Sequence, residues 1–421
     1  MKVVIMAGGK GTRISSIASD IPKPMIEING KPVLEHEISS LKSQGFADFV
    51  ITVGHLSDVI ISYFEDGHKF DVNIEYYIET EPLGNAGALF YLRDKLQEDF
   101  LLLNGDALFE FDANRFINHH KSHDGLATVF THPNDHPYDS SLILADGNNC
   151  VTNWLTPDMP RPSWYKNRVN AGIHILSPEL LEQAPSKKVV DLDRDILRPL
   201  AGTGKLFCYD SPEYVKDMGT PNRFAAVCRD FQSGICKSRS LLLPQKAIFL
   251  DRDGTINKYV GFLTDINQFE LLPDAAEAIR LINQSGYLAI VVTNQPVVAR
   301  GEVTYSELSD IHNKMETLLG KYGAFLDAIY YCPHHPDGGF EGEVPELKTD
   351  CDCRKPKPGM LLLASDDYNI NLSQSWIIGD SENDVIAGRS AGCHTIQLNE
   401  SISLLDAVKN ILEGNTIEKS C

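Results

Sequence analysis

The chain has 421 residues, 43% hydrophobic and 23% charged, an ordinary globular balance with enough length for two or three cores. Its formal net charge of −20 argues against nonspecific binding to nucleic acid or to an anionic membrane, so any phosphate site must supply its own cations, and metal ions are expected. No apolar run approaches the ~20 residues that span a bilayer, MKVVIMAGG breaks at Gly8-Gly9 without a cleavage pattern, and nine cysteines, an odd number, argue against a disulfide framework; a cytoplasmic protein is expected.

Val3–Met6 is an apolar run ending in glycines, a buried strand feeding a loop. Residues 32–44 carry Val33, Leu34, Ile38 and Leu41 at helical spacing. Strands are predicted over 49–53, 74–78 and 100–103, with a helix over 85–96 between the last two. This alternation argues for an α/β domain with a largely parallel sheet. From Gly125 to Leu176 the pattern changes to short strands and turns, 169–176 being the clearest. Periodicity is lost over 232–245, which reads as a linker. A second alternation follows, with strands at 246–250, 288–292, 328–331, 375–378 and 394–397. Its helices are predicted at 274–285, 305–320, 359–368 and 382–391. One more helix, 403–412, precedes a tail. The chain therefore divides into a first domain (1–232), a linker (233–245), a second domain (246–400) and a C-terminal helix and tail (401–421).

In the second domain, Ile248-Phe249-Leu250 runs into Asp251-Arg252-Asp253-Gly254-Thr255. Ligands of open α/β sheets bind beyond the carboxyl ends of strands, and a period of two can point Asp251 and Asp253 the same way. Two such carboxylates suit Mg²⁺, which prefers hard oxygen ligands together with substrate phosphate. Thr293-Asn294 ends the next strand with a hydroxyl and an amide able to hold phosphoryl oxygens, Arg354-Lys355 supplies cations, and Asp380 ends a third apolar strand with Asp384 a helical turn later. Cys332-Pro333-His334 and Cys351-Asp352-Cys353 offer three sulfurs and an imidazole, a set that suits tetrahedral Zn²⁺, with His335 as the rival to His334.

The motifs DRDGT, VVTNQ, RKPKPGM and IIGDSEND resemble the haloacid dehalogenase superfamily. CPHHPDGG with CDCRKPKPGM is similar to its zinc-loop branch, the D-glycero-D-manno-heptose 1,7-bisphosphate phosphatases, over about residues 247–398. The resemblance implies a Rossmannoid parallel sheet and a phosphatase in which Asp251 forms an aspartyl-phosphate and Asp253 serves as general acid and base. It implies that Thr293, Asn294, Arg300 and Lys355 contact substrate, that Arg354 holds the retained phosphate, and that Asp251, the Asp253 carbonyl and Asp380 hold Mg²⁺. Cys332, His334, Cys351 and Cys353 would hold a structural Zn²⁺. The family usually reads TNQSG-x-ARG, whereas here Pro296 follows Gln295 and removes a backbone N–H. Histidinol-phosphate phosphatases share the branch and are the nearest competitor.

In the first domain, AGGKGTR is a glycine-rich turn after a strand, neither a dinucleotide fingerprint nor a P-loop. Gly8, Gly9 and Gly11 would admit backbone N–H groups to a triphosphate, with Thr12 and Arg13 beside them. Lys23 sits in a proline-framed segment, Gly84-Asn85 open a second small-residue loop, Asp106 ends a strand, and Asp217 lies far downstream. Together these resemble the sugar-1-phosphate nucleotidyltransferases across about residues 1–230, which implies a Rossmann-like, GT-A-like mixed sheet. By that resemblance Arg13 and Lys23 stabilise the transition state, Asp106 and Asp217 hold Mg²⁺, Gly84 and Asn85 contact base or sugar, and Asn170 touches the sugar. The family's sugar-phosphate lysine is replaced by Thr156, for which Arg161, Lys166 and Arg168 are the candidate substitutes, and its downstream glutamate by Asp193. The two resemblances imply successive steps toward a nucleotide-activated heptose, with GTP the first choice of nucleotide. The alternative is a phosphatase whose first domain only binds a sugar nucleotide. The expected partners are small sugar phosphates and nucleotides, with no nucleic acid and no membrane; oligomeric state is not encoded in these motifs.

Overall fold

The apolar runs form strands because both of their faces are covered. In the first half, β1 (Val3–Met6), β2 (Asp48–Val53), β3 (Asn73–Ile78) and β4 (Phe100–Asn104) pair in parallel, with β1 between β2 and β4. Val3, Val4 and Ile5 are fully buried, as are Leu101, Leu102 and Leu103. Such continuous burial is the mark of a parallel strand clothed on both sides. The computed structural model describes residues 1–9, 21–182, 188–339 and 341–414, so Gly11, Thr12 and Arg13 lie outside the described residues.

Two compact units result. The first comprises Met1–His132, Ser141–Thr156 and Val169–Ser240; the second comprises Pro133–Ser140, Pro157–Arg168 and Leu241–Cys421. In the first unit, β5 (Ala107–Glu110) follows β4 after a tight turn, and then come β6 (Ala127–His132), β7 (Leu142–Ala145), β8 (Val151–Leu155), β9 (Val169–Leu176), β10 (Leu206–Asp210) and β11 (Tyr214–Asp217). The main sheet runs β8-β7-β9-β4-β1-β2-β3, with β6 joining β9 to β10. It is mixed, because β9 runs antiparallel to β4 and β6. A separate ribbon pairs β5 with β11.

Helix α1 (Val33–Lys42) buries the apolar stripe read from its spacing. The sequence reading missed α2 (Ser57–Phe64), α3 (Ala113–Lys121) and α4 (Pro221–Gln232). Two of these carried legible caps: the Asp112 carboxylate accepts from Asn114 and Arg115, and Thr220 caps α4 with Pro221 at its first turn. The helix expected over 85–96 is only a 3₁₀ turn, Gly87–Tyr91. Its entry is tied elsewhere, since Ala86 N–H donates to Val190 O, and Leu192 N–H donates to Asn85 Oδ1. Nor is 233–245 an irregular tether. Helix α5 (Ile235–Ser238) follows α4, Leu241 is buried, and Gln245 N–H donates to Asn369 O.

The second unit has a five-stranded parallel sheet. Its strands are β12 (Lys246–Leu250), β13 (Tyr287–Asn294), β14 (Ala328–Cys332), β15 (Trp376–Gly379) and β16 (His394–Gln397), in the order β14-β13-β12-β15-β16. Helices α6 (Ala275–Asn283), α7 (Tyr305–Gly320), α8 (Gly359–Tyr368), α9 (Glu382–Ala391) and α10 (Leu404–Leu412) bury apolar residues against it. The strand order reverses beside β12, so ligand groups from β12, β13 and β15 meet at one sheet end. Among the described residues no helix is long and apolar enough to cross a membrane.

Residues 157–168 belong to this second unit through polar anchors as well as packing. Arg168 pairs with Glu316 of α7 at 3.2 Å, both side chains being almost wholly buried, and also donates to Leu326 O and Asp327 O. Asn167 N–H donates to Glu316 at 3.0 Å, and Tyr165 N–H donates to the Thr317 hydroxyl at 2.9 Å. Removing one partner of a buried ion pair strands the other charge, at a cost of about 3–5 kcal/mol. Arg168→Met in the full chain is therefore expected to lower the unfolding free energy of the second unit by an amount of that order. Denaturant titration followed by tryptophan fluorescence checks this, since Trp164 lies within the segment, 5.3 Å from Lys314.

Candidate active sites

In the second unit the end of β12 delivers Asp251 into a buried cluster. Asp251 N–H donates to Ile378 O of β15, fixing the backbone, and Asp251 Oδ1 accepts from Arg252 N–H at 2.8 Å. Lys355 Nζ lies 2.8 Å from Asp251 and 2.5 Å from Asp384, and donates to Val292 O. Burial opposes the charge of Lys355, yet the two carboxylates outweigh it and raise its pKa. Burial pushes Asp251 up to about 6, against the opposing pull of Lys355. Asp380 is raised by burial and by Asp384. Asp251, Asp380 and Asp384 bring carboxylate oxygens within 4.8 Å of one another. When all three are ionised, one ammonium does not balance them, and the hard oxygen set fits a divalent cation. The fit is also steric: at Gly254, φ +79°, a Cβ would collide with Asp380, and at Gly379 with Asp384.

The remaining groups surround this cluster. The Thr293 hydroxyl, buried at the end of β13, accepts from Gln295. Arg354 donates to His334 O at 3.2 Å, tying the cation-bearing loop to the cysteine loop. Arg300 pairs with Glu302 at 2.7 Å and lies over the Phe262 ring at 4.1 Å. The Asp253 carboxylate faces Arg252, Asn257 and Gln295.

Three thiols and one imidazole converge beside it. Cys332, Cys351 and Cys353 have Sγ–Sγ separations of 3.2–3.4 Å, and His334 Nδ1 is 3.3 Å from Cys353 Sγ. His335 turns away, its Nδ1 accepting from Asp337 N–H. The four-ligand set could hold one tetrahedral metal ion.

In the first unit a cleft of about 850 Å³ opens at the carboxyl ends of β1, β2 and β4, lined among others by Gly8, Gly9, Lys23, Glu79, Asn85 and Asp106. Lys23, in the 3₁₀ turn Lys23–Met25, forms an ion pair with Asp106. The β5–β11 pairing sets Asp217 opposite Ala107, the residue after Asp106, and Met218 N–H donates to Asp106 O. Asp217 is held by Arg223 at 3.0 Å. Glu79, raised by burial, borders Gly8 so closely that a Cβ there would lie 2.8 Å from its Oε1.

Residues 2–234 match the nucleotidyl transferase family model, and residues 352–411 match the HAD-hydrolase-like model. Over 147 residues the chain is 44% identical to the D-glycero-beta-D-manno-heptose-1,7-bisphosphate 7-phosphatase of Pasteurella multocida, covering 35% of this chain and 77% of that protein. The chain belongs to the nucleotidyl transferases and to the HAD-like phosphatases. Over 241 residues it is also 31% identical to probable mannose-1-phosphate guanylyltransferase 2 of Oryza sativa subsp. japonica, covering 56% of this chain and 64% of that protein. Among solved structures, HddC from Yersinia pseudotuberculosis covers 55% of this chain and 99% of its own at 28% identity, with a TM-score of 0.48. The protein is thus an enzyme with a sugar-phosphate nucleotidyltransferase-like unit and a heptose bisphosphate phosphatase-like unit.

Several expected site residues have partners of their own in the structure. In the phosphatase unit the Asn294 Nδ2 donates to Lys355 O and its Oδ1 accepts from Lys355 N–H, so it sets the lysine backbone. In the transferase unit Asn170 and Asp193 bond to each other at 3.3 Å. Burial pushes Asp193 up to about 6. Gly84, at φ +81°, is required because a Cβ would strike Val190 O. At Gly9, in contrast, no described residue lies within 4 Å of where a Cβ would go. Arg161 and Arg168 do not replace the missing lysine: Arg161 donates to Pro137 O and Ser140 O, and Arg168 to Glu316, all within the phosphatase unit. Lys166 falls in the same segment. The sequence reading missed Glu79, Gln295 and His312. No spacing rule marks them, since each matters through a neighbour brought from another element.

Lys355→Met removes the only cation this cluster shows among the described residues. Phosphate release is expected to fall by about 10²-fold or more, as for loss of one preorganised charge-stabilising donor. Pyrophosphate release should be unchanged, and parallel assays of the two products on one preparation check both halves.

Proposed function

We propose that this enzyme removes the 7-phosphate of D-glycero-D-manno-heptose 1,7-bisphosphate and transfers a nucleotidyl group from GTP to the resulting heptose 1-phosphate. The observation that carries the phosphatase half is the buried Lys355 between Asp251 and Asp384, with Asp380 alongside. Asp251 attacks phosphorus, the bond to the sugar oxygen breaks, and Asp253 supplies the proton that oxygen needs. Water then releases phosphate from the aspartyl-phosphate, with Asp253 taking the proton back. Lys355 and the Thr293 hydroxyl neutralise and orient the phosphoryl oxygens. A Mg²⁺ ion at Asp251, the Asp253 carbonyl and Asp380 would supply further charge neutralisation when bound. The 44% identity to a protein named for this bisphosphate favours heptose over histidinol phosphate.

In the transferase half, a sugar-1-phosphate oxygen attacks the nucleotide α-phosphorus and pyrophosphate leaves. Lys23 neutralises the approaching anions, and Arg13 is assigned the same task. Asp106 and Asp217 are the residues that would hold Mg²⁺; the pairing of Asp217 with Ala107, the residue after Asp106, supports this. Glu79 supports guanine as the base. A carboxylate has two acceptor oxygens and no donor, and guanine offers adjacent N1–H and N2–H donors, whereas adenine offers no such pair. The Cys332, His334, Cys351 and Cys353 set is assigned to a structural Zn²⁺ that holds a loop without a core of its own. We place the enzyme in the cytoplasm, where nucleotide triphosphates are available.

Incubating the protein with heptose bisphosphate and each nucleoside triphosphate tests the whole reading. Phosphate should appear first, and pyrophosphate should follow fastest with GTP; no pyrophosphate from any nucleotide and sugar-1-phosphate pair would overturn the transferase half. Asp251→Asn should abolish phosphate release yet leave pyrophosphate release from supplied heptose 1-phosphate intact. Glu79→Gln should cut the preference for GTP over ATP by roughly tenfold or more, the scale of a hydrogen bond to a charged group. Metal analysis of the purified protein is expected to find one zinc per chain, and Cys351→Ser should lose it.

A further inference from the structure

Arg252 is wholly buried, the largest side chain of which this is true among the described residues. A guanidinium carries five N–H donors and no acceptor, so each buried edge needs a partner. One edge is bidentate on Asp253, with Nη2 at 2.8 Å from Oδ2 and Nε at 3.3 Å from Oδ1. Nη2 also donates to Gln295 Oε1 at 2.9 Å. Nη1 points the other way and meets His312 Nε2, on α7, at 3.3 Å. Gln295 closes the ring, donating from Nε2 both to Asp253 Oδ2 and to the Thr293 hydroxyl at 2.9 Å. Asn257 Nδ2 donates to Asp253 Oδ1 at 3.0 Å.

His312 is buried and has no place in the chemistry described above. Burial and the neighbouring guanidinium hold it well below its ordinary value, so its ring is neutral and Nε2 can present a lone pair to Arg252. Asp253 and Gln295 grip one side of a planar fork, which leaves the plane free to tilt about that side. A third anchor on the opposite nitrogen removes this freedom. We propose that His312 is a positioning residue for proton transfer: by accepting from Arg252 Nη1 it fixes the guanidinium plane and, through it, the angle at which the Asp253 carboxyl meets the leaving sugar oxygen. Gln295 extends the same frame to Thr293, so the acid and a phosphoryl-binding hydroxyl are aligned together. This inference rests on the phosphatase reading of the site.

The test compares two leaving groups. As the Asp251–phosphorus bond forms and the phosphorus–oxygen bond breaks, the heptose alkoxide needs the Asp253 proton, whereas 4-nitrophenolate leaves without one. His312→Leu keeps the bulk and removes the acceptor; His312→Gln restores an acceptor. For His312→Leu, the single-turnover rate of heptose 1-phosphate formation from heptose 1,7-bisphosphate should fall at least about tenfold, a part of the ~10²–10⁴ that positioned proton transfer contributes. The pre-steady-state burst of 4-nitrophenolate, which precedes the water step that Asp253 also serves, should keep its wild-type rate. His312→Gln should recover most of the lost first-step rate. Equal losses of the two first-step rates, or no loss on the bisphosphate, would overturn the assignment of His312. If the wild-type protein hydrolyses neither substrate, the phosphatase reading itself fails.

Discussion

Much of the phosphatase unit follows from keeping one lysine buried between two carboxylates. Lys355 is almost fully shielded, and so is Asp384. Isolated ions of either sign are expensive to bury, so the cluster persists only because each charge has a counter-charge and fixed hydrogen bonds. Asn294 grips the Lys355 backbone at both its N–H and its carbonyl, and Val292 O accepts a hydrogen bond from the ammonium. Asp384 meanwhile accepts from the Ser381 N–H and hydroxyl at the start of α9. The same carboxylate thus anchors a helix and a lysine. Side chains at the ends of three adjacent strands meet here because β12 lies between β13 and β15, and the glycines at 254 and 379 leave the room that a Cβ would fill.

The transferase unit meets a related electrostatic problem with a more open solution. The chain as a whole is strongly acidic, so an anionic substrate meets an unfavourable field until it reaches local cations. Lys23 pairs with Asp106 in a cleft lined among others by Gly8, Gly9, Glu79 and Asn85. That ion pair holds the lysine at the cleft. The two units thus differ in where their cations sit, one buried among its acids and the other facing an open cleft.

How much of this could be read from the sequence depended on whether the signal was local. The alternation from Lys246 onward, the helix 305–320 and the strand ends bearing Asp251, Thr293 and Asp380 were legible because period and punctuation agreed. The Cys332, His334, Cys351 and Cys353 set was legible for the same reason, though the choice between His334 and His335 needed coordinates. The helix expected over 85–96 failed because Ala86 and Asn85 bond across to residues 190–192, a tertiary override of local propensity. The bonds of Asn294 to the Lys355 backbone were not legible, because an amide looks the same in sequence whatever it faces. Gln295 sits inside the VVTNQ motif but its bond to Arg252 does not show there, and His312 carries no signature of its own.

Residues 157–168 follow Thr156, the position at which the sequence departs from the pattern that the nucleotidyltransferase resemblance implies. The residues that follow belong to the phosphatase unit, where Trp164 lies near Lys314 and Lys321, and Arg168 is buried against Glu316. The Arg168 guanidinium donates to Asn167 O, Leu326 O and Asp327 O, which commits it to the phosphatase unit. Glu316 lies one helical turn from His312 on α7, so the helix that Arg168 secures is also the helix that presents an acceptor to Arg252. An element of the phosphatase fold and an element of its proton-transfer geometry are thereby held by the same stretch of helix.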